Sequence, residues 1–511
     1  MTAAKPWAWT AVAALATAVG TLGAFRTLPR PDTTWLLHVT GRVLDGARLG
    51  VDVVDVTPPV ILWLKAPVVL LARAAGWDTS TAWVAAAALL AAASLLVASR
   101  LLRRLPSLAR SGPSLVATLA VGLFLLPGPD FGQREHVTIA LALPWILALA
   151  ARAEGSPLPA SGSWAAGLAG GLGLALKPHF ALVWLAVAGV LAMRERRWRA
   201  LLAPELAGAA AVPLLAVVVT CLIHPGYFGY VREYGALYAG FLSENPLLVG
   251  LAGEGVEWSW LGLLALGAFA SAIRPRPGSL VVLLSTVIAF HLAAAAQMKG
   301  WEYHFIPAGV LGLLLAAAAG GCAGWPSDRL VRRVYRVAVP LGIAVAAWVG
   351  GRRAVEVTTR PVARWAEADP GLPALLREVR RSGRRERLLV VSTNLASGWP
   401  LAHLARADWT LRGPAVWPLA ASYASGLDSA GVIRTHPRAN WTPPERRLAV
   451  EIAEDVSRRP PTIIIVPRPM EAAEPWQVLF RFDYSTILPA SVPAPGPADT
   501  VGDYFVYRVG N

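Results

Sequence analysis

The residues of this chain that are able to do chemistry are few, and they stand in short groups between long apolar runs. Asp32 opens the stretch PDTTWLLHVTGRVLDGARLGVDVVDVTPPVILWL, which also holds Asp52 and Asp55. Asp130, Arg134, Glu135 and His136 share GPDFGQREH, and Lys177 and His179 flank a proline in LKPHF. His224, Tyr227 and Arg232 follow in HPGYFGYVREY, and Lys299, Tyr303 and His304 lie in KGWEYHF. Carboxylates set among more numerous cations suit a group transfer in which a carboxylate takes the acceptor's proton and strong donors stabilise a departing phosphate. Transfer of a sugar from a lipid phosphate has these needs. On that reading Asp32 is the base, and Arg134, Lys177, His179, Lys299, Tyr303 and His304 hold the phosphate.

The elements that must position these groups are membrane helices. Of 511 residues, 55% are hydrophobic and only 15% charged, and the mean hydropathy is +0.50, the composition of a polytopic membrane protein. Several apolar runs reach the roughly 20 residues that cross a hydrocarbon core. The first, Trp7 to Phe25, lacks a small-residue cleavage site followed by a soluble domain and reads as a retained span. The net charge of +15 does not point to nucleic acid, because many of the basic residues lie in short clusters between apolar runs. Cys221 and Cys322 both fall in apolar segments, which argues against a disulfide framework or a thiolate metal site.

Arginine clusters set the expected topology. Arg100, Arg103, Arg104 and Arg110 follow one apolar run, Arg194 to Arg199 a second, Arg274 and Arg276 a third, and Arg329 to Arg336 a fourth. With all of them inside the cell, the spans alternate and every polar group named above falls at an outward-facing turn. This requires the segment Gly162 to Met193 to be two short helices meeting at Lys177-Pro178-His179. It also requires Pro59 to Ala75, a helix expected to break at Lys65 and Pro67, to lie on the outer surface beside the amphipathic segment Thr33 to Asp45. The count comes to about eleven spans of the required length.

Beyond residue 352 prolines and charges rise. Short β runs at Arg387 to Thr393, Thr462 to Val466 and Asp503 to Val509 alternate with helical stretches at Pro373 to Arg381 and Pro443 to Arg458. The expected fold class is therefore a polytopic α-helical membrane protein with juxtamembrane helices in its first outer loop, plus a small C-terminal extracytoplasmic α/β domain. The expected boundary divides a catalytic membrane domain, 1–352, from the α/β domain, 353–511.

An aspartate just after the first span, a helical segment ending in LDGARL, the acidic VDVVD and then TPPVILWL together resemble the first extracytoplasmic loop of the GT-C glycosyltransferases. The similarity is greatest to the bacterial protein mannosyltransferase-like and aminoarabinose transferase-like enzymes. FGQREH, LKPHF and KGWEYHFIP resemble later motifs of that superfamily, and the resemblance covers roughly residues 1 to 350. It implies a GT-C-like fold, a polyprenyl-phosphate-linked sugar donor, a glycan, lipid or protein acceptor at the outer face of the plasma membrane, and inversion at the anomeric carbon. It also implies that Asp32 and Glu135 are catalytic and that Lys177, Lys299 and His304 face the lipid phosphate. Many relatives carry a second acidic residue beside the first; here Thr33 follows Asp32. If a divalent cation takes part, Glu135 and His136 are the expected contributors.

Blander roles attach to other residues. Asp52 and Asp55 are expected to shape the loop or face the acceptor, Asp45-Gly46 to end a helix, and His291 to pack within a span. The 21 tryptophans suit interfacial anchoring. The expected partners are the lipid donor, the acceptor and membrane lipids, with no nucleic acid. Two other classes stay open: a lipid or solute transporter that breaks no bond, against which the lack of an internal repeat counts, and a non-catalytic assembly subunit.

Overall fold

The computed structural model describes residues 6–240, 244–252, 257, 277–321, 371–422, 438–467 and 499–509. The chain forms two compact units. The first comprises Met1–Thr27, Thr57–Val219 and Glu244–Thr359, the second Leu28–Val56, Thr220–Ser243 and Arg360–Asn511. The stretches 28–56 and 220–243 thus pack with the C-terminal part of the chain, and the sequence-based boundary at 352 lies outside the described residues.

The first unit is helical. It contains α1 (Pro6–Arg26), α3 (Val60–Ala75), α4 (Thr79–Leu102), α5 (Gly112–Ala120), α6 (Arg134–Ala153), α7 (Ala160–Leu174), α8 (Ala181–Glu195), most of α9 (Pro204–Ile223), α11 (Pro246–Ala252), α12 (Gly278–Ala295) and α13 (Ile306–Gly321). Among the described residues, seven helical segments are long and apolar enough to cross a membrane. The run expected from Ser114 to Leu126 forms a shorter apolar helix, and the spans expected over 258–273 and 337–350 lie outside the described residues.

The core forms around α6, which is apolar nearly all round and so belongs at the centre of a bundle. Its Trp145, Ile146, Leu147 and Leu149 are fully buried against α4, α7, α12 and α13. Glycines of α7 permit close approach on two sides, Gly170 and Gly173 to α6 and Gly167 and Gly171 to α9. A Cβ at Gly170 would stand 2.5 Å from Trp145, and one at Gly171 2.8 Å from the Ala209 carbonyl of α9; small residues let membrane helices approach this closely. Leu89, Leu214, Leu215 and Leu222 are exposed on outer faces, as lipid-facing side chains are. At the ends of α6 and α7, Arg152 and Ser163 both bond to buried Glu205, and Ser107 and Ser279 to Glu154.

Two expectations about helix breaks come out differently. Gly162 to Met193 is indeed two helices, α7 and α8, separated by an extended Lys177 and a single turn over Pro178–Phe180. By contrast, α3 runs unbroken through Lys65 and Pro67 and ends at Gly76 in the left-handed conformation. A proline within a helix removes one backbone donor but does not have to end it, and the Trp83 ring of α4 receives the Lys65 ammonium. After α5, the segment Val121–Leu125 winds as a π turn in which the Leu126 N–H reaches the Val121 carbonyl.

The second unit contains α2 (Pro31–Leu44), α10 (Pro225–Gly240) and the C-terminal elements. Gly46 ends α2 with φ 91°, as the Asp45-Gly46 pair leads one to expect. Its five-stranded sheet has the order β2-β1-β3-β5-β4, from β1 (Arg387–Val390), β2 (Asp408–Trp409), β3 (Ile463–Pro467), β4 (Asp499–Val501) and β5 (Tyr504–Arg508). β1 pairs parallel to β2 and β3, while β5 pairs antiparallel to β3 and β4. A helix over Pro443–Arg458 begins with a Thr442–Glu445 capping box, which satisfies donors at its first turn.

The loop after α2 is fastened to this unit throughout its length. Val54 N–H bonds to Arg412 O at 2.9 Å, and the Tyr227 hydroxyl of α10 to Val56 O at 3.1 Å. Gly50 has φ +86°, and a Cβ there would lie 2.4 Å from the backbone of Gly226. Gly50→Ala is therefore expected to destabilise the protein by about 1–3 kcal/mol. Thermal unfolding in detergent checks this; an unchanged midpoint would remove the close approach as a determinant of stability.

Candidate functional site

Glu135 lies in the first turn of α6, where the partial positive charge of the helix end favours a carboxylate. Its side chain is fully buried and forms an ion pair with Lys177, while His304 Nε2 stands 3.7 Å from the same oxygen. Lys177 occupies the break between α7 and α8, where an extended backbone directs it inward. Its Nζ also donates to Gln297 Oε1 at 2.5 Å, and Gln297 is itself anchored on the Ala293 carbonyl of α12. Thus the start of α6, the break between α7 and α8 and the turn that carries His304 meet at one buried carboxylate.

The KGWEYHF segment closes around this pair. His304 sits in a single turn over Glu302–Phe305, edge-on to Tyr303 at 4.5 Å and 5.4 Å from the Trp301 ring. Tyr303 in turn presents its face to Lys177 Nζ at 5.7 Å. His179, Lys299 and Arg134 all lie within electrostatic reach of His304. Lys299 is buried, which lowers its ammonium pKa to about 8. It therefore loses its charge as pH rises through that value. An anion held by this side chain is expected to bind about tenfold more weakly across this step, and Lys299→Arg to keep its affinity at alkaline pH. A flat profile on titrating inorganic phosphate into the unaltered protein would exclude Lys299 from anion binding.

The turn before α6 is held by its own polar groups. Gly132 N–H donates to His136 Nδ1 at 3.0 Å, the Leu123 carbonyl lies 2.9 Å from His136 Nε2, and Trp83 Nε1 donates to the Gly132 carbonyl. With Nδ1 an acceptor, Nε2 carries the proton, so both ring nitrogens of this fully buried histidine are engaged. That arrangement does not fit the expected role of His136 as a metal ligand beside Glu135, whose carboxylate is itself paired with Lys177. Among the described residues, no group of three or more His, Cys, Asp or Glu side chains is disposed to hold a metal ion. At the first residue of α6, Arg134 Nη1 donates to Thr57 Oγ1 at 2.9 Å.

Asp32, Asp52 and Asp55 belong to the second unit. Asp32 is half-buried in the first turn of α2, directly after Pro31. Asp55 accepts the Trp35 indole N–H at 2.5 Å, fastening the loop back to α2. Asp52 accepts the Arg48 side chain and backbone, and the bond to the Arg48 guanidinium lowers its carboxyl pKa to about 2. Both carboxylates are thus bonded within the stretch 31–56. The Tyr227 hydroxyl bonds to the Val56 carbonyl, and His291 bonds the Gly250 carbonyl at 2.7 Å as a packing residue.

Three further residues were not legible as site residues: Gln297, Thr57 and Lys65. Only Lys65 carried a signal, being the one charge in the apolar run Val60 to Leu71. Its Nζ lies 3.7 Å from the centroid of the Trp83 ring on α4.

No family model matches the chain, and no curated protein sequence matches it. The structure is similar to the crystal structure of ArnT from Cupriavidus metallidurans bound to undecaprenyl phosphate, with a TM-score of 0.58 at 14% identity over 99% of this chain and 98% of that one. The chain therefore has a GT-C-like fold: a polytopic helical membrane protein with a C-terminal domain.

Proposed function

We propose that this protein is an integral membrane glycosyltransferase that moves a sugar from a polyprenyl-phosphate-linked donor to an acceptor on the outer side of the plasma membrane, with inversion. The observation that carries the reading is the likeness, along nearly the whole chain, to a protein bound to undecaprenyl phosphate. The buried cations Lys177 and Lys299 support it, as a setting in which donors act on a phosphate in low dielectric. Asp32 takes the proton of the acceptor nucleophile as that atom bonds to the anomeric carbon. The bond from that carbon to the phosphate oxygen breaks, and the phosphate leaves carrying the added negative charge. Lys177, Lys299, His304, Tyr303, His179 and Arg134 stabilise that charge, while Glu135 acts through Lys177 and His304 by holding them in place. Residues 1–352 supply this machinery, and 353–511 an outer α/β domain.

The reading is tested with the full chain in lipid nanodiscs, supplied with polyprenyl-phosphate-linked sugars and envelope glycolipids. Glycosylated product and free polyprenyl phosphate are expected in equal amounts. Movement of intact donor across the bilayer with no bond broken would replace this reading with that of a transporter.

A further inference from the structure

Lys65 is a buried lysine in a place where packing alone would select an apolar residue. It lies on α3 among Ile61, Leu62 and Val69, with 1% of its surface exposed. Among the described residues its Nζ has no hydrogen-bond partner. Its Nζ stands over the Trp83 ring, 3.7 Å from the centroid, and a cation–π contact returns far less than the desolvation of an ammonium costs. Among the described residues, the charge that acts on it is another cation, that of Arg134. Lys177, by contrast, is compensated by Glu135.

We propose that Lys65, together with Arg134 and the Thr57 hydroxyl, forms an anion site that takes the phosphate group of a lipid phosphate, with the Trp83 ring as the resting contact of the ammonium. The inference rests on the proposed function and deepens it by assigning donor-phosphate contacts to a residue outside the polar turns. Its chemistry is that of a phosphate: the positive charge of Arg134 acts on Lys65, and Arg134 is itself located by the Thr57 hydroxyl, which accepts its Nη1–H. A phosphate oxygen supplies the counter-charge that neither cation can give the other, and charge-assisted hydrogen bonds to it are the strong kind. Trp83 is fixed by its own bond to Gly132, in the turn that positions Arg134, so the two cations are located by one piece of structure.

The test compares the unaltered protein with Lys65→Met in phosphatidylcholine nanodiscs. A short-chain polyprenyl phosphate and inorganic phosphate are titrated separately, and thermal unfolding is recorded with and without each. Lys65→Met is expected to bind polyprenyl phosphate about 10- to 100-fold more weakly, the loss of one charge-assisted hydrogen bond. Without ligand it is expected to unfold at the same temperature or higher, because removing an uncompensated buried charge does not weaken packing. Stabilisation by polyprenyl phosphate alone identifies the lipid headgroup as the ligand, and equal stabilisation by inorganic phosphate identifies the free anion; either supports the site if it disappears in Lys65→Met. Affinity within about twofold of the unaltered protein, or a variant that unfolds earlier while binding normally, would make Lys65 a packing residue and end the proposal. If sugar transfer proceeds while Lys65→Met binds donor normally, the anion site fails and the glycosyltransferase reading stands. If phosphate binds through Lys65 and no transfer occurs, the reverse holds.

Discussion

Asp32→Asn is expected to lower the rate of sugar transfer by about 100- to 10,000-fold, the usual contribution of a positioned general base, while donor affinity stays unchanged. The substitution is isosteric, and Asp32 sits at the second position of α2, where Pro31 already starts the helix. Loss of the carboxylate from that turn costs about 0.3–1 kcal/mol of helix-end electrostatics, which leaves the fold intact. A fall in rate with preserved thermal stability and preserved donor binding therefore isolates the chemistry. Full activity in the variant would remove Asp32 from the mechanism.

Glu135→Gln is expected to destabilise the protein by about 3–5 kcal/mol, because breaking a buried ion pair strands its partner. Here the partner is Lys177, and the negative charge 3.7 Å from His304 Nε2 is removed as well. Adding Lys177→Met should restore much of the stability without restoring transfer, since the stranded charge is then gone but the phosphate contact is gone too. Thermal unfolding of the four proteins of this cycle gives the coupling energy directly. Additive effects would show that Glu135 and Lys177 do not act as a pair.

The local features of the chain were written in its sequence, and the long-range ones were not. The break at Lys177-Pro178-His179 is legible because a proline beside a charge interrupts the backbone ladder within an apolar run, although the same pair of signals at Lys65 and Pro67 leaves α3 unbroken. β1, β3 and β5 are legible as short runs of Leu, Val, Ile, Tyr and Phe. Asp408–Trp409 has no such pattern, since two residues become a strand only by pairing with Leu388 and its neighbour. The grouping of Leu28–Val56 with the C-terminal part depends on contacts such as Val54 to Arg412, which join residues far apart in the chain. In the site, residue types pointed to Glu135, Lys177 and His304, and the fold brings these three together. Lys65 was read as a helix breaker because sequence shows a charge in an apolar run but not the indole that receives it.

The π turn at Val121–Leu125 has a consequence for how the chain tolerates changes in length. Such a turn holds one residue more than an α turn, so deleting one of the five would let the segment close as a regular α-helical turn. The Leu123 carbonyl that meets His136 Nε2 would then move, and the turn before α6 would lose one of its fixings. The extra residue therefore acts as a spacer that presents a carbonyl sideways to a buried imidazole. Single-residue deletions are harmless in surface loops, but between Val121 and Leu125 a deletion removes a partner that a fully buried histidine has nowhere else to find.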